Sequence, residues 1–281
     1  MLREKKKVVI FGAGGVGRRL CDLLIEDSSL EVSFFVDNDT AKHGENYKGV
    51  YIHSPKNLID CTHEVYIGTL MGFRELAPQL DALGLSWSSV NRDYVSSMYY
   101  ARRLFVERFS ELRRNAHGCV AEAGVYRGEF ASEINKSFPS KKLFLFDTFE
   151  GFDQRDFEWE EQESLVKADH FSDTAVEKVL AKMPFPENIV LKKGFFPETT
   201  SGIDEDWLLV SLDMDLYKPT LEGLKFFYPR MVQGGVILIH DFFTPAYPNI
   251  QKAVSDFENE FNINLSKTPI GDDLSLAIIK T

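Results

Sequence analysis

The alternation of apolar and polar positions along the chain predicts an α/β protein. Short apolar runs rich in β-branched residues are typical of buried strands, and longer segments with apolar residues three and four positions apart are typical of helices. A charged amphipathic helix over residues 94–116 separates two groups of such runs. Strands are predicted at residues 8–11, 32–36, 50–53, 65–68, 85–90, 143–146, 208–212, 236–239 and 274–279, and further helices at residues 54–59, 72–83 and 248–261.

The segment over residues 119–152 joins two acidic strand ends through a glycine turn. An apolar run leads into Glu122, Gly124 and Gly128 open a helix, and a second apolar run ends in Asp147. Ligands of open α/β sheets bind outside the carboxyl ends of the strands. Both carboxylates should therefore face one crevice and accept hydrogen bonds from ribose hydroxyls there. Glycine lets the turn approach a ligand closely and start a helix tightly. The pattern therefore predicts a nucleoside pocket.

Four motifs follow one another in this half of the chain. They are E-x-G-x-x-x-G at 122–128, D-T-F-E-G-F at 147–152, K-G-x-F-x-x-T at 193–199 and L-D-x-D-L-Y at 212–217. In these motifs the chain resembles the macrocin O-methyltransferase (TylF-like) family of S-adenosylmethionine-dependent sugar methyltransferases, from about residue 120 onward. The resemblance implies a class I methyltransferase sheet closed by an antiparallel hairpin strand. It also implies that S-adenosylmethionine is held by Glu122, Gly124, Tyr126, Gly128, Asp147, Thr148 and Phe149.

Two more predicted strands end in groups that can handle protons or metals. The strand at 208–212 runs into Asp213 and Asp215, and the strand at 236–239 runs into His240 and Asp241. Methyl transfer to an alcohol needs close positioning of donor and acceptor. It also needs either a general base or a divalent metal that acidifies the hydroxyl. We expect these four side chains to share the crevice of Glu122 and Asp147.

The resemblance assigns Asp213 and Asp241 as ligands of a divalent metal (Mg²⁺ or Mn²⁺) and Asp215 as the base. The family commonly has two aspartates where this chain has His240 and Asp241, and imidazole favours transition metals over Mg²⁺. The sequence leaves four roles open for His240. It could ligate a metal such as Mn²⁺, act as general base, mark a site that has lost activity, or end the strand as a hydrogen-bonded residue.

The first group of strands carries a separate glycine turn. Gly12, Gly14 and Gly17 stand in G-x-G-x-x-G spacing after an apolar run, and Asp37 follows about 20 positions later, as in dinucleotide-binding units. The segment FVDND at 35–39 resembles the small nucleotide-binding domains in front of sugar acyltransferases and polysaccharide-synthesis enzymes. That resemblance implies a nucleotide-sugar ligand. NAD(P), or a purely structural or dimerising domain without ligand, are the alternatives.

Composition and charge disfavour three classes of protein: nucleic-acid-binding, membrane-spanning, and disulfide- or zinc-stabilised proteins. The formal net charge of −11 disfavours a nucleic-acid partner. No apolar run approaches the roughly 20 residues of a membrane span. The three cysteines lie far apart among apolar neighbours, which favours reduced thiols over a disulfide or zinc framework. We expect a cytoplasmic protein.

The sequence therefore predicts two Rossmann-like α/β domains: a small nucleotide-binding domain over residues 1–92, a linking helix packed on the second domain over 93–118, and a methyltransferase domain over 119–281. The predicted function is S-adenosylmethionine-dependent O-methylation of a sugar hydroxyl, on a nucleotide-sugar, a glycan precursor or a glycosylated natural product, with or without metal assistance. The alternatives are a nucleotide-sugar-binding protein whose methyltransferase domain is inactive, and an NAD-dependent oxidoreductase. We also expect a homo-oligomer.

Overall fold

The computed structural model of the protein describes residues 5–70, 73–159, 171–244 and 247–281. The chain divides into two compact units, Met1–Tyr99 and Tyr100–Thr281. The division falls inside a long helix rather than at either end of it. The limits drawn from the sequence for the domains and for the linking helix stay a prediction.

The first unit is a five-stranded sheet with helices. Its strands lie in the order β3-β4-β2-β1-β5, and all neighbours are parallel except the pair β3 and β4. The elements are β1 (Lys6–Phe11), α1 (Gly15–Glu26), β2 (Leu30–Val36), β3 (Asn46–Tyr47), β4 (Val50–His53), β5 (Glu64–Ile67), α2 (Phe73–Ala82) and α3 (Asp93–Leu112), the last continuing into the second unit.

Two predictions for this unit need correction. The strand predicted at 85–90 is wrong: a short 3₁₀ helix, Trp87–Ser89, occupies its centre because Ser86 and Ser89 close a turn through reciprocal hydrogen bonds. Only after that turn does Asn91 pair with Tyr66. The helix predicted at 54–59 is a 3₁₀ helix, Pro55–Leu58. The predicted start of α2, Gly72, lies outside the described residues.

The second unit is a seven-stranded sheet in the order β11-β12-β10-β9-β6-β7-β8. The five strands from β10 to β8 are parallel, and β12 pairs antiparallel with both β10 and β11. The antiparallel closing strand implied by the family resemblance is confirmed. The elements are β6 (Cys119–Ala123), α4 (Glu129–Ser137), β7 (Leu143–Asp147), α5 (Val176–Leu180), β8 (Ile189–Lys193), β9 (Trp207–Leu212), α6 (Tyr217–Phe227), β10 (Met231–Ile239), α7 (Pro248–Phe261), β11 (Ser266–Pro269) and β12 (Leu276–Ile279).

Burial along the central strands decides where polar chemistry occurs in this unit. Every residue of β6 and β9 is buried, as expected for parallel strands covered on both faces. Chemically active side chains therefore collect where β7, β6, β9 and β10 end, since parallel neighbours end at the same edge. The expectation of an α/β fold with two sheets is confirmed. Of the helices in the described ranges, none is both long enough and apolar enough to span a membrane.

Candidate active site

The glycine turn after β6 is locked against the acidic end of β9. Gly124 has a φ of +83°, and a Cβ built on it would lie 1.8 Å from the carbonyl oxygen of Asp213. The backbone N–H of Asp213 donates to the carbonyl of Ala123 at 2.8 Å. Glycine is therefore required at 124 by the backbone of the protein itself, and the turn and Asp213 hold a fixed relative position.

Asp147, at the end of β7, fixes the same turn from the other side. Its Oδ2 accepts hydrogen bonds from the backbone N–H groups of Val125 at 2.7 Å and Tyr126 at 2.9 Å. Its Oδ1 accepts one from Phe149 at 2.6 Å. A carboxylate has about four lone-pair sites, so room remains for a ligand hydroxyl. The turn, the end of β7 and the end of β9 thus have fixed relative positions.

The other residues predicted to bind the cofactor have varied surroundings. Gly128, with a φ of +77°, caps the start of α4. The hydroxyl of Tyr126 donates to Asp173 at 2.6 Å, and that of Thr148 donates to the carbonyl of Gly151. Phe149 is buried in the hydrophobic core, so its ring fills the core and its backbone faces Asp147.

The ends of β9 and β10 bring together the predicted acid, base and imidazole residues. Nδ1 of His240 lies 2.7 Å from Oδ2 of Asp241 and 3.1 Å from Oδ1 of Asp213. Asp215 lies beside Asp241, and both aspartates have left-handed backbone, with φ of 58° and 56°. Backbone in this region is uncommon for residues other than glycine and collects at functional sites. The structure thus places Asp213, Asp215, His240 and Asp241 together, as the sequence predicts.

Arg102, on α3, is a member of this cluster that the sequence analysis missed. Its NH1 lies 3.1 Å from Oδ2 of Asp213, and its NH2 donates to Oγ of Ser211 at 2.9 Å. The guanidinium also stacks over the ring of Phe130, 3.7 Å from its centre. Only 10% of its side chain is exposed. In the sequence Arg102 is one of several charged residues of the amphipathic helix predicted over residues 94–116, and nothing in the pattern distinguishes it from the exposed ones.

Burial and neighbouring charges set the pKa values of this cluster. Burial raises the pKa of Glu122 well above its ordinary value, against the opposing charge of Arg102. Burial also raises the pKa of Asp215, and the charges of its acidic neighbours add to the effect. Burial alone would disfavour charge on Asp213 and His240. Their mutual attraction outweighs it, lowering the pKa of Asp213 and raising that of His240 to about 10.

The distances alone would allow a metal ion among Asp213, His240 and Asp241, because one ligand atom from each lies within 4.8 Å of the others. The hydrogen bonds do not fit a metal. Nδ1 of His240 must carry a hydrogen to bond carboxylate oxygens, and both oxygens of Asp213 already have partners. A metal ion at this place would have to displace these nitrogen donors.

The first unit has a cavity of about 340 Å³ at its own glycine turn. Gly17 is required by packing, since its Cβ would lie 1.9 Å from the carbonyl oxygen of Gly12. Gly14 differs: its φ is −78°, and no atom lies within 4 Å of a Cβ built there. Asp37 accepts hydrogen bonds from the N–H groups of Ala13 at 2.7 Å and Asp39 at 2.8 Å. The cavity is lined by Gly12, Gly14, Asp37, Asn38, Lys42 and Leu70 among others.

Comparison with solved structures agrees with the α/β architecture. The solved O-methyltransferase NovP is 20% identical, with a TM-score of 0.54 over 64% of this chain and 80% of that one. The calicheamicin methyltransferase CalS11 is 18% identical, with a TM-score of 0.51 over 75% of this chain and 86% of that one. These likenesses show the Rossmann-like fold of class I methyltransferases.

Two family models match the chain, each over a different region. The family model described as Macrocin-O-methyltransferase (TylF) matches residues 97–273, more than half of the chain, and the chain belongs to that family. A second model, described as C2185-like, N-terminal, matches residues 4–90. Mycinamicin III 3''-O-methyltransferase from Micromonospora griseorubida is 26% identical over 170 residues. That match covers 55% of this chain and 66% of the relative, slightly less than two thirds of its length.

Proposed function

We propose that the protein is an S-adenosylmethionine-dependent O-methyltransferase that acts on a sugar hydroxyl. One observation carries the proposal. The edge formed by β7, β6, β9 and β10 holds a glycine turn fixed by Asp147 directly beside the cluster of Asp213, Asp215, His240 and Asp241. Membership of the macrocin O-methyltransferase family and likeness to mycinamicin III 3''-O-methyltransferase support O-methylation, and the family resemblance implies the sugar acceptor.

The crevice has features that suit a nucleoside ligand. Oε2 of Glu122 is buried without a hydrogen-bond partner among the described residues, and a buried polar group of this kind calls for one. Asp147 keeps lone pairs free beside the turn that it fixes. We assign Glu122, Asp147 and the turn from Gly124 to Gly128 to S-adenosylmethionine, which would supply the electrophilic methyl group.

The acidic cluster would handle the acceptor. We assign Asp215 as the proton acceptor, because its raised pKa makes its carboxylate a stronger base than an ordinary aspartate. His240, held by two carboxylates, would place its other nitrogen next to the acceptor hydroxyl. Among the described residues the structure gives Nε2 of His240 no hydrogen-bond partner. Positioning by this rigid cluster would supply much of the rate enhancement.

The first unit would bind a nucleotide-sugar in a Rossmann-like pocket. Its cavity borders the N-terminus of α1, where free backbone N–H groups favour a phosphate. The open space at Gly14 leaves room for a diphosphate to approach the turn. Asp37 fixes this turn through backbone hydrogen bonds to both of its oxygens, as Asp147 does in the second unit.

The experiment is a methyl-transfer assay on the full chain. Purified protein is mixed with S-adenosylmethionine and a panel of UDP- and dTDP-sugars, and S-adenosylhomocysteine is quantified. We expect release with at least one sugar, loss of release in Asp215→Asn, and no change in Asp204→Asn, an exposed aspartate of the second unit. Lack of S-adenosylmethionine binding by calorimetry would contradict the proposal. Binding of both ligands without release would instead support the nucleotide-sugar-binding alternative.

A further inference from the structure

His240 occupies the position between two carboxylates where a cation would otherwise be held. Its Nδ1 lies 2.7 Å from Oδ2 of Asp241 and 3.1 Å from Oδ1 of Asp213. A ring nitrogen at these distances from two carboxylate oxygens carries a hydrogen and has no lone pair for a metal. His240 therefore acts as the donor that holds the two aspartates together.

Arg102 takes the remaining oxygen of Asp213. Its NH1 lies 3.1 Å from Oδ2, and its NH2 is fixed by Ser211 at 2.9 Å. The stacking of the guanidinium on Phe130 limits its freedom further. Because arginine does not lose its proton in proteins, this positive charge is permanent. Asp213 thus has one partner on each oxygen, neither of which is a metal.

These contacts oppose a divalent ion in two ways. Mg²⁺ needs short, near-octahedral bonds to oxygens, and the relevant oxygens here are engaged with nitrogen donors. A divalent ion would also lie close to the fixed charge of Arg102, and like charges repel strongly where water is largely excluded. Asp213 has a nitrogen donor of this chain on each of its oxygens, and Asp241 has one on Oδ2.

We propose that the acceptor site of this chain works without a divalent metal ion, because His240 and Arg102 occupy the carboxylate oxygens that such an ion would bind. That this site receives the acceptor rests on the proposed function. The affinity of the site for a metal ion does not depend on that function and is measured separately. His240 is the residue that determines this affinity.

The test measures Mn²⁺ binding to the full-length protein. Electron paramagnetic resonance detects the Mn²⁺ that stays free, and calorimetry measures the affinity. The wild type and Asp213→Asn should show the same weak, unsaturated binding. His240→Asp replaces the imidazole with a third carboxylate and frees Oδ1 of Asp213, so its Mn²⁺ affinity should rise by about tenfold or more. S-adenosylmethionine binding by the same samples shows that the crevice is intact.

Saturable binding of one Mn²⁺ by the wild type, lost in Asp213→Asn, would overturn the inference. So would a His240→Asp protein that binds S-adenosylmethionine normally but gains no Mn²⁺ affinity. If His240→Asp does not fold, the wild type and Asp213→Asn decide the question alone. Where methyl transfer is observed, dialysis against EDTA should leave its rate unchanged, whereas failure of methyl transfer itself would count only against the proposed function.

Discussion

The guanidinium of Arg102 lies 3.1 Å from the carboxylate of Asp213, and the two residues are 111 positions apart in the chain. This contact ties α3 to the end of β9 and places a permanent positive charge at the acidic cluster. Removing one member of a largely buried ion pair leaves the other charge without compensation, which costs more than the pair itself contributes. Arg102 is therefore expected to matter for both stability and site geometry.

Arg102→Met should lower the free energy of unfolding by about 2–4 kcal/mol, since the arginine is nearly buried and Asp213 is only partly exposed. Urea unfolding followed by circular dichroism measures the change. Arg103→Met is the matched control, because Arg103 is exposed on the same helix and stacks on exposed Tyr100. Equal effects of the two substitutions would show that the contact with Asp213 carries no special weight.

Gly124→Ala should destabilise the second unit by at least about 2 kcal/mol, since alanine would need strained left-handed backbone and its Cβ would overlap the carbonyl of Asp213. Gly14→Ala should stay within about 1 kcal/mol of the wild type, because its φ is ordinary and its surroundings are open. Differential scanning calorimetry compares the two. A stable Gly124→Ala protein would refute the close approach of the turn to β9.

Asp147→Asn should weaken S-adenosylmethionine binding by about tenfold or more, because an amide N–H₂ would face the backbone N–H groups that now donate to the carboxylate. Asp37→Asn makes the same change at the glycine turn of the first unit. Calorimetry should find its S-adenosylmethionine affinity unaltered. If both variants bind as the wild type does, the cofactor is not held at the end of β7.

Asp215→Asn should reduce kcat by about 10²–10⁴-fold, the usual contribution of a general base, while the Kd for S-adenosylmethionine stays near that of the wild type. Single-turnover methyl transfer measures the chemical step. His240→Asn would remove the donor that holds Asp213 and Asp241 and should also lower kcat. If kcat falls more in His240→Asn than in Asp215→Asn, the imidazole and not Asp215 would be the proton acceptor.

Gly14→Val should abolish nucleotide-sugar binding to the first unit without unfolding it, because the new side chain would project into open space at the cavity. Thermal shift with UDP- and dTDP-sugars provides the measurement. The expected result is a ligand-dependent shift in the wild type that is lost in the variant. A shift that persists in Gly14→Val would place the ligand away from this turn.

Much of the fold followed from local pattern. The parallel strands are continuous apolar runs because both faces of the sheet are covered, and each run ends in a polar residue where the sheet meets the crevice. That relationship was sufficient to bring Asp213, Asp215, His240 and Asp241 together from sequence. The strand expected at 85–90 was wrong because hydrogen bonds between Ser86 and Ser89 outweighed its apolar pattern.

The side-chain contacts within the site could not be predicted from the sequence. Arg102 reaches Asp213 only through the placement of α3 against the second unit's sheet, and no spacing rule links those positions. The need for glycine at 124 was expected from a ligand, whereas the structure adds the carbonyl of Asp213 as a reason. The partners of His240 likewise depend on side-chain geometry that an apolar pattern does not encode.

A crystal structure of the full chain with S-adenosylhomocysteine would show directly where the cofactor binds. We expect the ribose hydroxyls within hydrogen-bond distance of Asp147, beside the turn from Gly124 to Gly128, with the sulfur facing Asp215 and His240. Binding of S-adenosylhomocysteine at the turn of Gly12 and Gly14 instead, or an empty crevice at saturating ligand, would contradict this expectation.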